Sequence, residues 1–200
     1  MIEEILLFGA VLLAIGLVFA STLRTATPPL PTSPSVRKTL LAMLPSQVDG
    51  PVYELGSGWG GLARTLARRY PSVQVRGLEV SVLPWAVSRV LLGVAGPDNL
   101  KFSLKDFHNA DLADAALVVC YLTGPAMEKL RPKLEAELQP GALVASNTFA
   151  FNGWQAIDTQ TAPDMYRTQV YLYRVGKSTG QNVSQQGDDL ETQINTDKRG

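Results

Sequence analysis

The sequence predicts an α/β protein: a doubly wound, mostly parallel sheet of seven strands with helices on both faces, behind one long apolar N-terminal helix. Three observations predict it. Val52-Tyr53-Glu54-Leu55 is a short apolar strand that runs through a glycine cluster into an amphipathic helix. That helix carries Leu62, Ala63, Leu66, Ala67 and Tyr70 at core-facing spacing, with Arg64, Arg68 and Arg69 on the wet side. Residues 115–122 are continuously apolar, as a central strand covered on both faces must be. Residues 5–23 carry no charge at all.

Two hundred residues suit one domain plus appendages, with enough chain for a sizeable core. Eighteen basic residues balance eighteen acidic ones, so no global field draws the chain to nucleic acid or to anionic lipid. The single cysteine, Cys120, excludes an internal disulfide. With His108 as the only histidine and no carboxylate cluster, no metal site is expected.

From the N-terminus, the charge-free stretch Ile5–Leu23 forms a helix about 28 Å long, close to the hydrocarbon thickness of a bilayer. Residues 1–24 are therefore expected to be a transmembrane anchor. The competing reading, a signal peptide, lacks its basic leading region, since Glu3 and Glu4 stand there instead. Arg24, Arg37 and Lys38 follow the span, which puts the domain on the cytoplasmic side of a single-pass membrane protein. Residues 25–35, rich in Pro and Thr, are a stiff tether, either a spacer or a lid folded over the ligand. The domain proper spans 36–176, and the polar residues 177–200 are expected to be a disordered tail.

Within the domain, Ser35 is placed to cap a helix through Leu44, with Val36, Leu40, Met43 and Leu44 inward. After the glycine helix, residues 73–79 form a second strand that ends on Glu79. Ser81 then caps a helix with Pro84 in its first turn and Trp85, Val87, Val90 and Leu91 inward. Residues 100–105 alternate as a less buried strand. A helix from Thr123 turns Met127, Leu130, Leu134 and Leu138 inward and is interrupted near Pro132. Residues 141–147 form a fifth strand, an aromatic loop runs to Trp154, and residues 168–175 form a last strand hairpinned with the segment around Ile157.

The glycine cluster is a cofactor pocket, because a backbone without Cβ atoms lets a nucleotide approach closely. Gly56, Gly58 and Gly61 satisfy the dinucleotide pattern G-x-G-x-x-G. Glu54 opposes that reading: a carboxylate two residues before the bend repels a pyrophosphate and attracts a cation. S-adenosylmethionine carries a sulfonium and an amino group and no phosphate. Glu79 lies 23 positions after Gly56, the spacing at which an acid bonds a ribose diol.

Glu54-x-Gly56-x-Gly58-x-Gly60 resembles the first motif of class I methyltransferases, whose sheet is Rossmann-like and seven-stranded. The resemblance implies a donor site made by Glu54, Gly56, Ser57, Gly58, Gly60 and Glu79, with Asp106 on the adenine amino group and Phe107 against its ring. More narrowly, several pieces resemble a family of membrane-anchored lysine methyltransferases whose eukaryotic members modify the ATP synthase c-subunit and the adenine nucleotide translocase. Those pieces are the span and tether, Leu83–Arg89, Tyr121–Met127, Lys133–Leu138 and Phe149–Trp154. Trp59 departs from that pattern, where relatives often carry an acid. The resemblance implies methyl transfer to a lysine of a membrane-associated protein. Tyr121, Phe149 and Trp154 would wall the acceptor channel and Asn147 would supply a polar contact; the alternative for each aromatic is core packing. A lipid or quinone methyltransferase and a membrane-tethered NAD(P) oxidoreductase are the competing functions.

Overall fold

The computed structural model describes residues 1–9, 11, 12, 16 and 31–176. Most of Ile5–Leu23, most of the tether and the tail 177–200 therefore lie outside the described residues. Residues 2–9 are helical, with Ile5, Leu6, Leu7 and Phe8 exposed. No helix among the described residues is long and apolar enough to cross a membrane, so the expected transmembrane helix has no support from the structure.

The sheet has seven strands in the order β3-β2-β1-β4-β5-β7-β6. They are β1 (Val52–Leu55), β2 (Val75–Glu79), β3 (Leu100–Leu104), β4 (Leu117–Cys120), β5 (Leu143–Asn147), β6 (Asp158–Thr161) and β7 (Gln169–Arg174). Strands β1 to β5 are parallel; β7 runs antiparallel to β5, and β6 antiparallel to β7. The expected closing hairpin is thus present. The chain winds outward from β1 to β3, then restarts beside β1 with β4. The crevice beyond the carboxyl ends of β1 and β4 is accordingly the place where such sheets bind ligands.

Alternation along the central strands feeds two cores. Val52, Leu117, Val119, Leu143 and Ala145 face α1 (Pro34–Met43), α2 (Gly61–Arg69) and α3 (Val82–Ala95). Tyr53, Leu55, Val118, Cys120 and Val144 face α4 (Gly124–Glu137). All five residues expected to face inward around α2 are buried, as are Met127, Leu130, Leu134 and Leu138 around α4. Truncating a fully buried leucine such as Leu66 or Leu130 to alanine would cost about 2–5 kcal/mol.

Three local expectations are corrected. Helix α1 begins two residues early, because Ser33 rather than Ser35 accepts the N–H of Val36, and Pro34 takes the first helical position, where a missing N–H is harmless. Helix α4 runs unbroken through Pro132. Helix α3 presents Pro84 and Ser88 to the sheet, while Val90 and Leu91 are 66 % and 44 % exposed. The reason is space. A Cβ at Gly60 would lie 3.0 Å from the Ser88 Cβ, so only a small residue fits where α3 crosses the glycine bend, and the Ser88 hydroxyl hides its polarity by donating to the Trp85 carbonyl at 2.7 Å.

Candidate active site

The carboxyl ends of β1 and β2 make a bend held from beneath. Gly56, Gly58 and Gly60 have φ of 72°, 51° and 73°, values that L side chains avoid. At Gly60 glycine is compulsory for a second reason: a Cβ would stand 2.4 Å from the Phe102 ring. At Gly58 a Cβ would meet nothing within 4 Å, so the room above it is open to a ligand.

The bend's amides are largely spoken for. Gly56 and Ser57 both donate to the Leu78 carbonyl at 2.9 Å, and Gly60 donates to the Ser57 carbonyl at 2.8 Å. Gly58 donates to Glu79 Oε2 at 2.7 Å, while Glu79 Oε1 accepts from Ser81 N at 2.8 Å. Glu79 therefore clamps the bend to the end of β2, and Ser81 begins α3 through its backbone rather than its side chain. Each carboxylate oxygen of Glu79 retains a second lone pair for a hydroxyl donor. A pyrophosphate would find consumed amides and the acidic side chains of Glu79 and buried Glu54 here in place of free donors, which weighs against a dinucleotide.

Glu54, 6 % exposed, stands on the α1–α2–α3 side of β1. Its carboxyl is pushed up from 4.5 to about 8, chiefly by burial. The Ala63 N–H opposes that rise, the Glu79 charge adds to it, and Arg37 and Arg64 pull the other way more weakly. Glu54 Oε2 has no hydrogen-bond partner among the described residues, and neither do Ser57 Oγ and Asn147 Oδ1. Buried polar atoms are rarely left unmatched without reason. A cationic, phosphate-free nucleoside answers the first orphan and avoids every repulsion named above, so the residues fit S-adenosylmethionine.

Tyr121 and Asn147 are brought together. Leu55 pairs with Cys120 and Cys120 with Ser146, so one residue further on Gly56, Tyr121 and Asn147 form a row across three neighbouring strand ends. Asn147 is 2 % exposed, and Thr148 after it adopts φ of 74°, a left-handed conformation costly for a β-branched residue. Ser146 Oγ, donating to the Phe149 carbonyl at 3.0 Å, helps hold this turn. Phe149 is 42 % exposed beside Gly124, at the start of α4.

Trp154 is not in this row. It packs against Phe151 and Tyr173 at ring separations of 4.9 and 5.6 Å, and its indole N–H donates to Glu135 at 2.7 Å, near the far end of α4. Its contacts are those of an aromatic cluster, the alternative the sequence left open for it. Asp106 caps the 3₁₀ turn Phe107–Asn109 by accepting from His108 N at 2.9 Å, and Phe107 is half-buried beside the second core. Cys120 is a core thiol whose pKa burial raises to about 12. One charged residue beside the bend escaped the sequence reading: Arg37, whose guanidinium lies 3.7 Å from where a Cβ of Gly61 would stand. The available signal was a charge adjoining the inward stripe of Val36 and Leu40.

A family model described as the ANTKMT methyltransferase domain matches residues 54–158, just over half the chain and the whole of this bend and row. The chain belongs to the ANTKMT methyltransferase domain family. A protein-lysine N-methyltransferase of Saccharolobus islandicus (strain REY15A) is 31 % identical over 155 residues, covering 75 % of this chain and 94 % of that protein. The lysine N-methyltransferase of Mus musculus named for the ATP synthase c-subunit is 32 % identical over 157 residues, covering 66 % of this chain and 62 % of that protein. An RNA methyltransferase from Salinibacter ruber, solved in complex with S-adenosyl-L-homocysteine, superposes with a TM-score of 0.67 at 26 % identity, covering 78 % of this chain and all of that one. As a methyltransferase of the ANTKMT family, the chain takes its methyl group from S-adenosylmethionine.

Proposed function

We propose that the chain is a protein-lysine methyltransferase held at a membrane by residues 5–23, with its domain on the cytoplasmic side and a membrane-associated protein as substrate. The observation that carries the lysine reading is Asn147 Oδ1, a buried acceptor without a partner among the described residues, in register with half-buried Tyr121 at the strand ends. It suits a substrate that brings an N–H donor, as an amine does, and is wasted on an apolar lipid tail. The 31 % identity to the Saccharolobus protein-lysine N-methyltransferase, nearly all of which this chain covers, supports the same reading.

S-adenosylmethionine, when bound, supplies a methyl group already activated on a sulfonium. The chain's own residues then bind, align and exclude water. Glu79 holds the glycine bend in shape and offers its remaining lone pairs to the ribose hydroxyls, while Glu54 receives the cationic end of the donor. Asp106 and Phe107 serve the adenine. Asn147 orients the acceptor amine, and the half-buried ring of Tyr121, with the more exposed Phe149 beside it, favours its neutral, nucleophilic form over the ammonium. A nucleic-acid substrate, which the name of the Salinibacter structure brings into view, gains no support from a global basic field in a chain of net charge zero.

The anchor rests on a sequence of nineteen residues without a charge and on the exposed apolar side chains of residues 5–8. The test incubates the full-length chain and labelled donor with membranes and extract from a strain lacking the protein. Label on a lysine of a membrane-fraction protein is the expected result; label in lipid or RNA refutes the assignment. Release of the protein itself from membranes by alkaline carbonate would remove the anchor.

A further inference from the structure

We propose that Arg37 is the specificity-determining residue for the amino-acid end of the donor, taking its carboxylate while Glu54 takes its ammonium. The inference rests on S-adenosylmethionine being the methyl donor. Arg37 stands in the first turn of α1 and reaches over the start of α2, with Nη2 at 3.7 Å from the position of a Gly61 Cβ. One donor is used locally: Nη2 gives a hydrogen bond to the Thr32 carbonyl at 3.2 Å. Nε is buried without a partner, and no ion pair among the described residues reaches the guanidinium. An arginine side chain in that state lacks an acceptor that the chain itself does not provide.

Glu54 is in the mirror-image condition. Its Oε2 is buried and unmatched, it feels the Arg37 charge, and yet the two groups do not bond one another. Had they paired, each would have consumed what a zwitterion needs. Kept apart on one side of the glycine bend, they offer a carboxyl that can ionise against an ammonium, and a fixed cation, to a ligand that carries both signs at one end. A guanidinium edge offers two parallel N–H donors, which matches a carboxylate better than any single-point cation does. The bond to Thr32 adds a consequence: the residue proposed to read the donor also holds the Thr32 carbonyl at the end of the tether.

The test is calorimetric titration of the full-length protein with S-adenosylmethionine and with its decarboxylated form, which keeps the sulfonium, the nucleoside and the amine. The wild type is expected to bind the decarboxylated ligand about 10- to 100-fold more weakly, the range that a charge-assisted bidentate contact supports. In Arg37→Gln, the intact donor should weaken by a similar factor, the decarboxylated ligand by less than about threefold, and the gap between the ligands should close. Arg37→Lys, which keeps the charge and loses the fork, should fall between. A wild type that binds both ligands equally overturns the inference without any variant, even if Arg37→Gln fails to fold. So does an Arg37→Gln protein weakened equally toward both. A wild type that binds neither ligand brings down the donor assignment itself, a different and recognisable failure.

Discussion

Donor binding should release a proton, and the size of the effect follows from Glu54. Its carboxyl titrates at about 8 in the free protein because burial outweighs the Ala63 N–H, Arg37 and Arg64, which favour the anion, while Glu79 nearby disfavours it. If the donor's ammonium binds the ionised form, only about 1 % of the protein is ready at pH 6 and about 9 % at pH 7. Apparent affinity should therefore rise roughly ninefold over that single pH unit, about 1.3 kcal/mol, before the donor's own amine begins to titrate near pH 8. Close to one proton should be released per donor bound at pH 7, read by calorimetry in two buffers of different ionisation enthalpy. Glu54→Gln, whose amide oxygen can still accept from Ala63, should flatten the profile and abolish the release. Linkage acts oppositely on folding. A carboxyl that keeps its proton in the native state after the unfolded chain has lost it makes stability fall as pH rises from about 4.5 to about 8. The variant should thus gain in Tm over the wild type on going from pH 6 to pH 8. A wild-type donor affinity that is flat between pH 6 and 7, with no proton released, would refute this account of Glu54.

Other substitutions separate shape from chemistry. Gly60→Ala should destabilise the fold by about 2–4 kcal/mol in denaturant titration, since it combines a left-handed backbone with a 2.4 Å clash against Phe102. Gly58→Ala meets no protein atom, so it should cost only the strain of about 1–2 kcal/mol while weakening donor binding at least tenfold; unchanged binding would mean the ligand does not pass over Gly58. Asn147→Leu should lower kcat/KM for the acceptor by about 10- to 100-fold with donor Kd unchanged, and an equal loss in both would place the residue on the donor instead. Trp154→Phe keeps the stack on Phe151 and Tyr173 and loses only the bond to Glu135, so stability should drop by about 1 kcal/mol and turnover stay within twofold. A tenfold fall in turnover would return Trp154 to the channel.

The sheet and the glycine bend were legible because their signals are local. A buried parallel strand must be apolar on both faces, and the close approach of β1, α2 and a ligand admits only glycine at set positions. Residues 52–61 and 115–122 state both requirements directly. Helix α3 was misread for an equally physical reason. Residues 82–95 contain one charge, Arg89, so hydrophobic periodicity has almost no polar face to take a bearing from. What orients the helix is volume: Ser88 is the residue small enough to pass over Gly60, and it is neither apolar nor at the expected spacing. Trp154 illustrates the complementary limit. An aromatic in a loop after a strand has the same sequence signature whether it lines a channel or packs on Tyr173, and its partner Glu135, one helix away, is invisible to local spacing.

Glu79 and Arg37 point to a further step. Sequence spacing gives Glu79 one task, holding a ribose, and the fold gives it another, clamping Gly58 and the start of α3 with the same two oxygens. Arg37 reads in the sequence as a charge flanking a membrane span, and in the fold as a group ending the tether and facing the glycine bend. In both cases the side chain proposed to meet the donor also holds a backbone segment in place. On that proposal binding and loop order should be thermodynamically coupled: a ligand that stabilises the Glu79 and Arg37 geometry would also stabilise the bend and the entry to α1. Amide exchange at Gly58, Ser81 and Val36 should then slow together when donor is added. If Gly58 were protected and Val36 left unchanged, the tether end would be independent of the donor and Arg37 would join only by proximity.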